Sequence, residues 1–205
     1  FFRDGLIYRT INSNYTAEFN HLMSSGLYDE LTQKGLLVRH RDAKGVELPD
    51  TLREMSFTVI EPEQITITYP SEWPFSALKD AALLTLRVQH IALKYNMCLK
   101  DASVYNVQFH LGKPIFIDTL SFEFYEKGKP WIAYRQFCEH FFGPLLLIAY
   151  VDPAYSALFN SFLDGFRLDF INKVLPLRRK LSTGTFLHIV LHSKSKSKAK
   201  PGTDT

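Results

Sequence analysis

The amino-acid sequence predicts an α+β fold, and three observations carry that reading. Short β-rich segments recur up to about residue 70. A long helix with a wide apolar face follows them, and the last half of the chain is mostly helical in pattern. Between the two parts, short strands flank a turn at Leu111-Gly112-Lys113. Strand and helix do not alternate regularly, which excludes a doubly wound parallel sheet.

Leu6 to Ile11 reads as a strand after a turn at Asp4-Gly5. Residues 16–25 place Phe19, Leu22 and Met23 on one helical face, and Gly26 stops that helix. Leu27 to Lys34 gives a second short helix ended by Gly35, and Leu36-Leu37-Val38 reads as a strand. Residues 42–54 are polar and loop-like. Ser56 to Ile60 and Ile65 to Tyr69 are two further strands, the second broken by Pro70 and Glu72-Trp73-Pro74. Ser76 is the expected cap of a helix over Ala77 to Tyr95, whose apolar stripe of Leu78, Ala81, Ala82, Leu84, Leu86, Val88, Ile91, Leu93 and Tyr95 covers more than half the circumference, with Leu84, Val88 and Ile91 facing the core.

Val107 to Phe109 and Pro114 to Ile117 form the central hairpin. Ala133 to Phe142 is helical and should bend or stop near Gly143-Pro144. Asp152-Pro153 starts a helix running to Asp164, and Leu168 to Val174 forms a last one before Pro176. The expected division is a strand-rich part over 1–70 and a helical part over 75–192. Lysine and serine alternate over 193–198, and that composition predicts a disordered basic tail over 193–205.

The chain is 46% apolar, with 17 Phe, which is ample for a core. Its formal charge of +3 comes partly from the tail, so nucleic acid is not expected as a partner. Cys98 and Cys138 sit in apolar sequence and make no disulfide framework, which predicts a reducing, cytoplasmic setting. The longest apolar run, Phe141 to Val151, is too short to span a bilayer, so no membrane is expected either. The chain does not begin with Met, and a fragment of a longer protein is expected. His90 with Cys98 and Cys138 with His140 lack the paired spacing of a zinc site.

The chemistry concentrates in Lys100-Asp101 through Asn106 to Asp118. Three oxygen-bearing side chains stand at loop or strand-end positions. Pairing of the two hairpin strands would bring Asn106 and Asp118 to one end. An amide oxygen and a carboxylate suit Mg²⁺, which keeps waters and takes phosphate oxygens for the rest. Asp101, five residues before Asn106, could accept a proton from an attacking hydroxyl. The plainer alternative is that Asp101 caps a turn, Asn106 makes an Asx turn and Asp118 caps the next segment.

The Asp101–Asn106–Asp118 spacing resembles the protein-kinase and aminoglycoside-phosphotransferase superfamily. That resemblance implies a kinase-like fold, ATP and Mg²⁺ as cofactors, and a small-molecule substrate. It makes Asp101 and Lys100 the catalytic candidates, Asn106 and Asp118 the metal ligands, and Arg9 and Glu72 the cofactor-binding positions. Departures are visible: Leu99-Lys100 precede Asp101, Thr119-Leu120 follow Asp118, and Gly5 is all that stands for a glycine-rich loop. Leu99-Lys100-Asp101-Ala102, Phe116 to Glu123 and Ala133 to Cys138 also resemble a bacterial family described as class I SAM-dependent methyltransferases or nodulation-type proteins. SAM would then bind a linked methyltransferase domain outside this chain, with the present region acting as a kinase-like enzyme or as a silent scaffold that positions that partner.

Overall fold

A computed structural model describes residues 1–43, 45–53 and 56–194, with only the backbone of Asp50, Arg53 and Lys194. It is a mixed α+β protein, strand-rich at the N-terminal end and helical at the C-terminal end. The chain opens with a two-stranded ribbon, β1 (Phe2–Arg3) and β2 (Leu6–Ile7), turned at Asp4 and Gly5 with φ of 50° and 81°. Then β3 (Arg9–Asn12), β4 (His40–Asp42) and β5 (Ser56–Pro62) form an antiparallel sheet in the order β3-β5-β4. Arg9 pairs with Ile60 in that register.

The sheet buries Ile11 and Ile60 against Tyr15 and Phe19. Phe19 belongs to α1 (Thr16–Ser24), which is followed by α2 (Leu27–Gln33). Gly26 lies between them at φ 93°, a conformation that costs glycine little and other residues more. Leu22, Leu27 and Leu31 point the other way, into the main core. The two short helices therefore join both cores, and the strand-rich part does not pack on itself alone.

Leu36 to Val38 is buried but adds no strand to this sheet. Its backbone instead bonds to Phe116 on both sides, from Val38 N–H at 2.8 Å and to Leu36 carbonyl at 2.9 Å. A short helix, α3 (Asp50–Arg53), interrupts the loop before β5. The strand expected over Ile65 to Tyr69 is an extended connection without a ladder partner. Its alternating Ile65 and Ile67 line a cleft rather than a sheet face. The Thr68 N–H donates to Gln108 Oε1 at 2.8 Å, which pins the connection to the hairpin below.

The long helix α4 (Phe75–Lys94) starts earlier than Ser76, with Pro74 as its cap. Leu78, Leu84, Val88 and Ile91 are buried, as the periodicity predicts, but Leu86 and Leu93 of the expected stripe are exposed, as is Leu83. Around α4 lie β6 (Met97–Leu99), β7 (Val107–His110), β8 (Lys113–Phe116) and β9 (Phe122–Phe124). β7 and β8 form the expected hairpin, with φ of 50° at Leu111 and 75° at Gly112. β6 pairs with β9.

The helix over 133–142 does not stop at Gly143-Pro144. It runs from α5 (Tyr134–Phe137) through a π turn over Cys138–Phe142 into α6 (Gly143–Tyr150). The wider π turn shifts the hydrogen bonding where Pro144 has no N–H to give and would crowd the preceding turn. Asp152 caps the next segment by accepting from Ala154 N–H at 2.8 Å, but Pro153–Asn160 is a 3₁₀ helix, shorter than the helix expected to Asp164. α7 (Leu168–Val174) matches its pattern. Beyond it come α8 (Leu177–Lys180), α9 (Thr183–Thr185), a π turn over Phe186–Leu191 and α10 (His192–Lys194), none of which the sequence pattern suggests. Of the expected tail, residues 193 and 194 close this last helix, and 195–205 lie outside the described residues. No described helix is long and apolar enough to cross a membrane.

Candidate functional site

The hairpin and its flanking turns bring Asn106 and Asp118 to one place. Strand-end residues Val107 and Phe116 are register partners, so the residues just outside them emerge side by side. Ile117 N–H donates to the Asn106 carbonyl at 2.8 Å and extends the pairing by one step. Ser121 then links the two side chains. Its hydroxyl donates to Asp118 Oδ2 at 2.5 Å and accepts from Asn106 Nδ2 at 3.1 Å. Asp118 also caps the 3₁₀ turn over Thr119–Ser121 by accepting from Leu120 N–H at 3.2 Å.

Arg9 completes the group from the other part of the molecule. Its guanidinium forms an ion pair with Asp118 Oδ1. The sheet strand β3 thus meets the segment after β8 across the cleft. Ile7, Arg9, Val38, Pro62, Glu63, Gln64, Ile65, Ile67 and Ile117 line this cleft, which is narrow, with a cavity volume of about 50 Å³. Its walls are largely aliphatic, and the charged cluster lies at one end.

Asp101 is held separately. Its Oδ1 accepts from Ser103 N–H and from Gln136 Nε2, both at 2.8 Å. Gln136 in turn accepts from Ala102 N–H at 2.7 Å, so one α5 side chain clasps the loop from both sides. Four residues on, His140 is buried and receives Val104 N–H at 3.5 Å. Burial holds its imidazole below the ordinary value, against the raising influence of Asp101 and Asp164. The loop over 100–106 is therefore latched to the helical layer by two polar residues on a buried helix face.

Lys100 does not join the carboxylates. Its ammonium lies 4.1 Å from the centre of the Tyr15 ring. The Tyr15 hydroxyl donates to the Phe122 carbonyl at 2.5 Å, and burial, with Asp118 second, pushes its pKa up. Glu72 is not brought to the cleft. Its carboxylate accepts from Tyr69 N–H at 3.1 Å and closes the 3₁₀ turn before α4. Of the six candidate residues, then, Arg9, Asn106 and Asp118 are gathered, Asp101 is oriented from behind, and Lys100 and Glu72 serve other contacts.

Sequence reading missed Ser121 and Gln136, and weighed His140 only as a zinc ligand. The first lies three residues after a capping Asp, where a hydroxyl commonly bonds back. The other two are polar residues at i and i+4 on a largely aromatic helix, a spacing that puts both on one face. Cys98 and Cys138 are free and buried, and burial pushes each thiol up to about 11. Among the described residues no group of three or more His, Cys, Asp or Glu side chains could hold a metal by itself. Mg²⁺ needs no such cage when phosphate and water supply most of its ligands.

Over 198 residues the chain is 37% identical to "Nodulation protein NoeA" of Rhizobium meliloti (strain 1021). The chain is similar to a nodulation protein. The match takes in 96% of this chain and 40% of the relative, so the chain spans about two fifths of that protein's length. It supports the nodulation-type resemblance over nearly all the residues considered above. No family model and no solved structure matches the chain.

Proposed function

We propose that this chain is a kinase-like module that takes a nucleotide, with a divalent cation, in the cleft between its strand-rich and helical parts. The observation that carries this reading is the approach of Arg9 to Asp118 from opposite sides of an aliphatic cleft. The Ile7, Val38, Ile65, Ile67 and Ile117 walls suit a flat heterocycle once the two parts move apart to widen the narrow cleft, and a polyphosphate suits the charged end. Arg9 is the base available to phosphate there, in a planar fork that matches phosphate oxygens.

Asn106 and Asp118 are the residues that would hold Mg²⁺. Both offer hard oxygen, and the Asn106 amide donor is spent on Ser121, which leaves its oxygen for a cation. When bound, the cation would neutralise phosphate charge. Asp101 is the candidate general base, its carboxylate aimed by Gln136 and Ser103. Any SAM-dependent chemistry would belong to a linked domain rather than to these residues.

A second reading is favoured by one specific feature. Both oxygens of Asp118 and one of Asp101 already accept bonds from within the protein. A silent module that positions a linked methyltransferase-type domain would keep its acids paired in this way.

Calorimetry with ATP and MgCl₂ on the full chain tests both. Saturable binding that Asp118→Ala abolishes, with Asp101→Ala retaining affinity and losing phosphate transfer, supports the enzyme. No heat with or without Mg²⁺, in a folded protein, rejects nucleotide binding and leaves the scaffold.

A further inference from the structure

The modest net charge conceals a division along the chain. From Phe170 to Thr203 there are eight Lys and Arg and no Asp or Glu, whereas residues 1–169 carry sixteen Lys and Arg against twenty acidic residues. The C-terminal stretch of sequence is thus strongly cationic and follows a stretch that is net acidic. The same segment also carries strongly exposed leucines. Leu177 and Leu181 are each 73% exposed, and they stand four residues apart on either side of Arg178-Arg179-Lys180. That spacing puts both on one side of the turn formed by α8. Arg179 stacks its guanidinium 3.9 Å from the centre of the Tyr150 ring, and Tyr150 and Val151 are themselves partly exposed. In the next helical stretch Leu187 and Leu191, again four apart, are also exposed, while Ile189 between them is buried and anchors the segment to the core.

Exposed leucine is ordinary when single. Two on one turn, separated only by basic residues and followed by a second exposed pair, make a surface that water does not favour. Nucleic acid would match the charge but leave the leucines wet. An acyl-chain boundary beneath anionic headgroups matches both.

We propose that the α8 turn and the helix after it form a docking surface for an anionic lipid bilayer. Leu177 and Leu181 enter the acyl boundary, and Arg178 and Lys180 meet the headgroup charge. The segment lies on the bilayer and does not cross it, in keeping with the absence of a spanning helix among the described residues.

Co-sedimentation of the full chain tests this, with vesicles of phosphatidylcholine alone and of phosphatidylcholine with phosphatidylserine. Binding is expected to the mixed vesicles and to fall by about tenfold or more in high salt. Leu177→Ser with Leu181→Ser should weaken it by about tenfold without changing the circular dichroism spectrum, because neither residue is in the core. Arg178→Glu with Lys180→Glu should do the same. Three results would overturn the proposal: no sedimentation with mixed vesicles at low salt, equal binding to both vesicle types, or binding that the leucine substitutions leave unchanged. The last would reduce the surface to a charged tail.

Discussion

At Gly143 a single hydrogen atom decides how two helices meet. A Cβ there would fall 2.1 Å from Ile171 Cδ1 and 3.0 Å from the Cys138 carbonyl. Alanine is the better helix former by about 1 kcal/mol, but α7 leaves it no room. Gly143→Ala should therefore destabilise the protein by about 1–3 kcal/mol. Ile171→Val removes the atom in closest conflict, so the double variant should lose less than the two single costs added, in a urea denaturation cycle. His140 makes a second prediction at this scale. Its folded-state pKa lies below its ordinary value of 6.5 because the ring is buried. The unfolded chain therefore takes the proton more readily. Stability is complete above about pH 6.5 and falls as the pH drops through that value toward the folded pKa. His140→Gln should flatten the fall in urea midpoint between about pH 7 and about pH 5. Burial lowers His40 and His192 as well, so part of the slope should survive. An unaltered slope would mean that His140 is not the ring being charged.

At the scale of the element, α4 was legible and the hairpin nearly so. The 3.6-residue repeat that buries Leu84, Val88 and Ile91 depends only on neighbours along one helix. Leu84→Ala should cost about 2–5 kcal/mol in chemical denaturation, whereas Leu83→Ala, on the open side, should stay within about 0.5 kcal/mol of wild type. Comparable losses at the two positions would put the helix in the wrong rotation. Ile65 to Tyr69 shows the opposite case. Its alternation is that of a strand, but a strand exists only where a partner edge is free. Residues 65–69 pair with neither outer edge of the β3-β5-β4 sheet, and Gln108 captures the Thr68 N–H instead. Gly143-Pro144 misled for a related reason. Proline forbids the regular helical bond, but a π turn in the preceding residues removes the need for it.

At the scale of the whole molecule, the two parts meet through a set of polar contacts and one shared pair of helices. Arg9 to Asp118 and Lys100 over Tyr15 both cross from the strand-rich part to the segments around the hairpin. Gln136 and His140 hold the intervening loop from the helical side. Gln136→Leu should thus free the Asp101 carboxylate and the Ala102 N–H together. Hydrogen exchange should quicken at Ala102 and Ser103 while α4 remains protected. Unchanged exchange there would show that the loop is held by its own turns.

The candidate site divides in the same way. Asp101, Asn106 and Asp118 could be singled out by residue type and spacing, because a hairpin with a tight turn fixes what stands at its open end. Likewise the helical face of α4, the glycine stop at Gly26 and the cap at Asp152 follow from interactions a few residues long, which the order of residues determines by itself. Arg9 reaching Asp118, Lys100 drawn to Tyr15 and the clasp of Gln136 were decided by tertiary structure. Each joins residues that are close only after two or more elements have packed. Loop closure and burial choose among the polar partners then available, and no spacing along the chain encodes that choice.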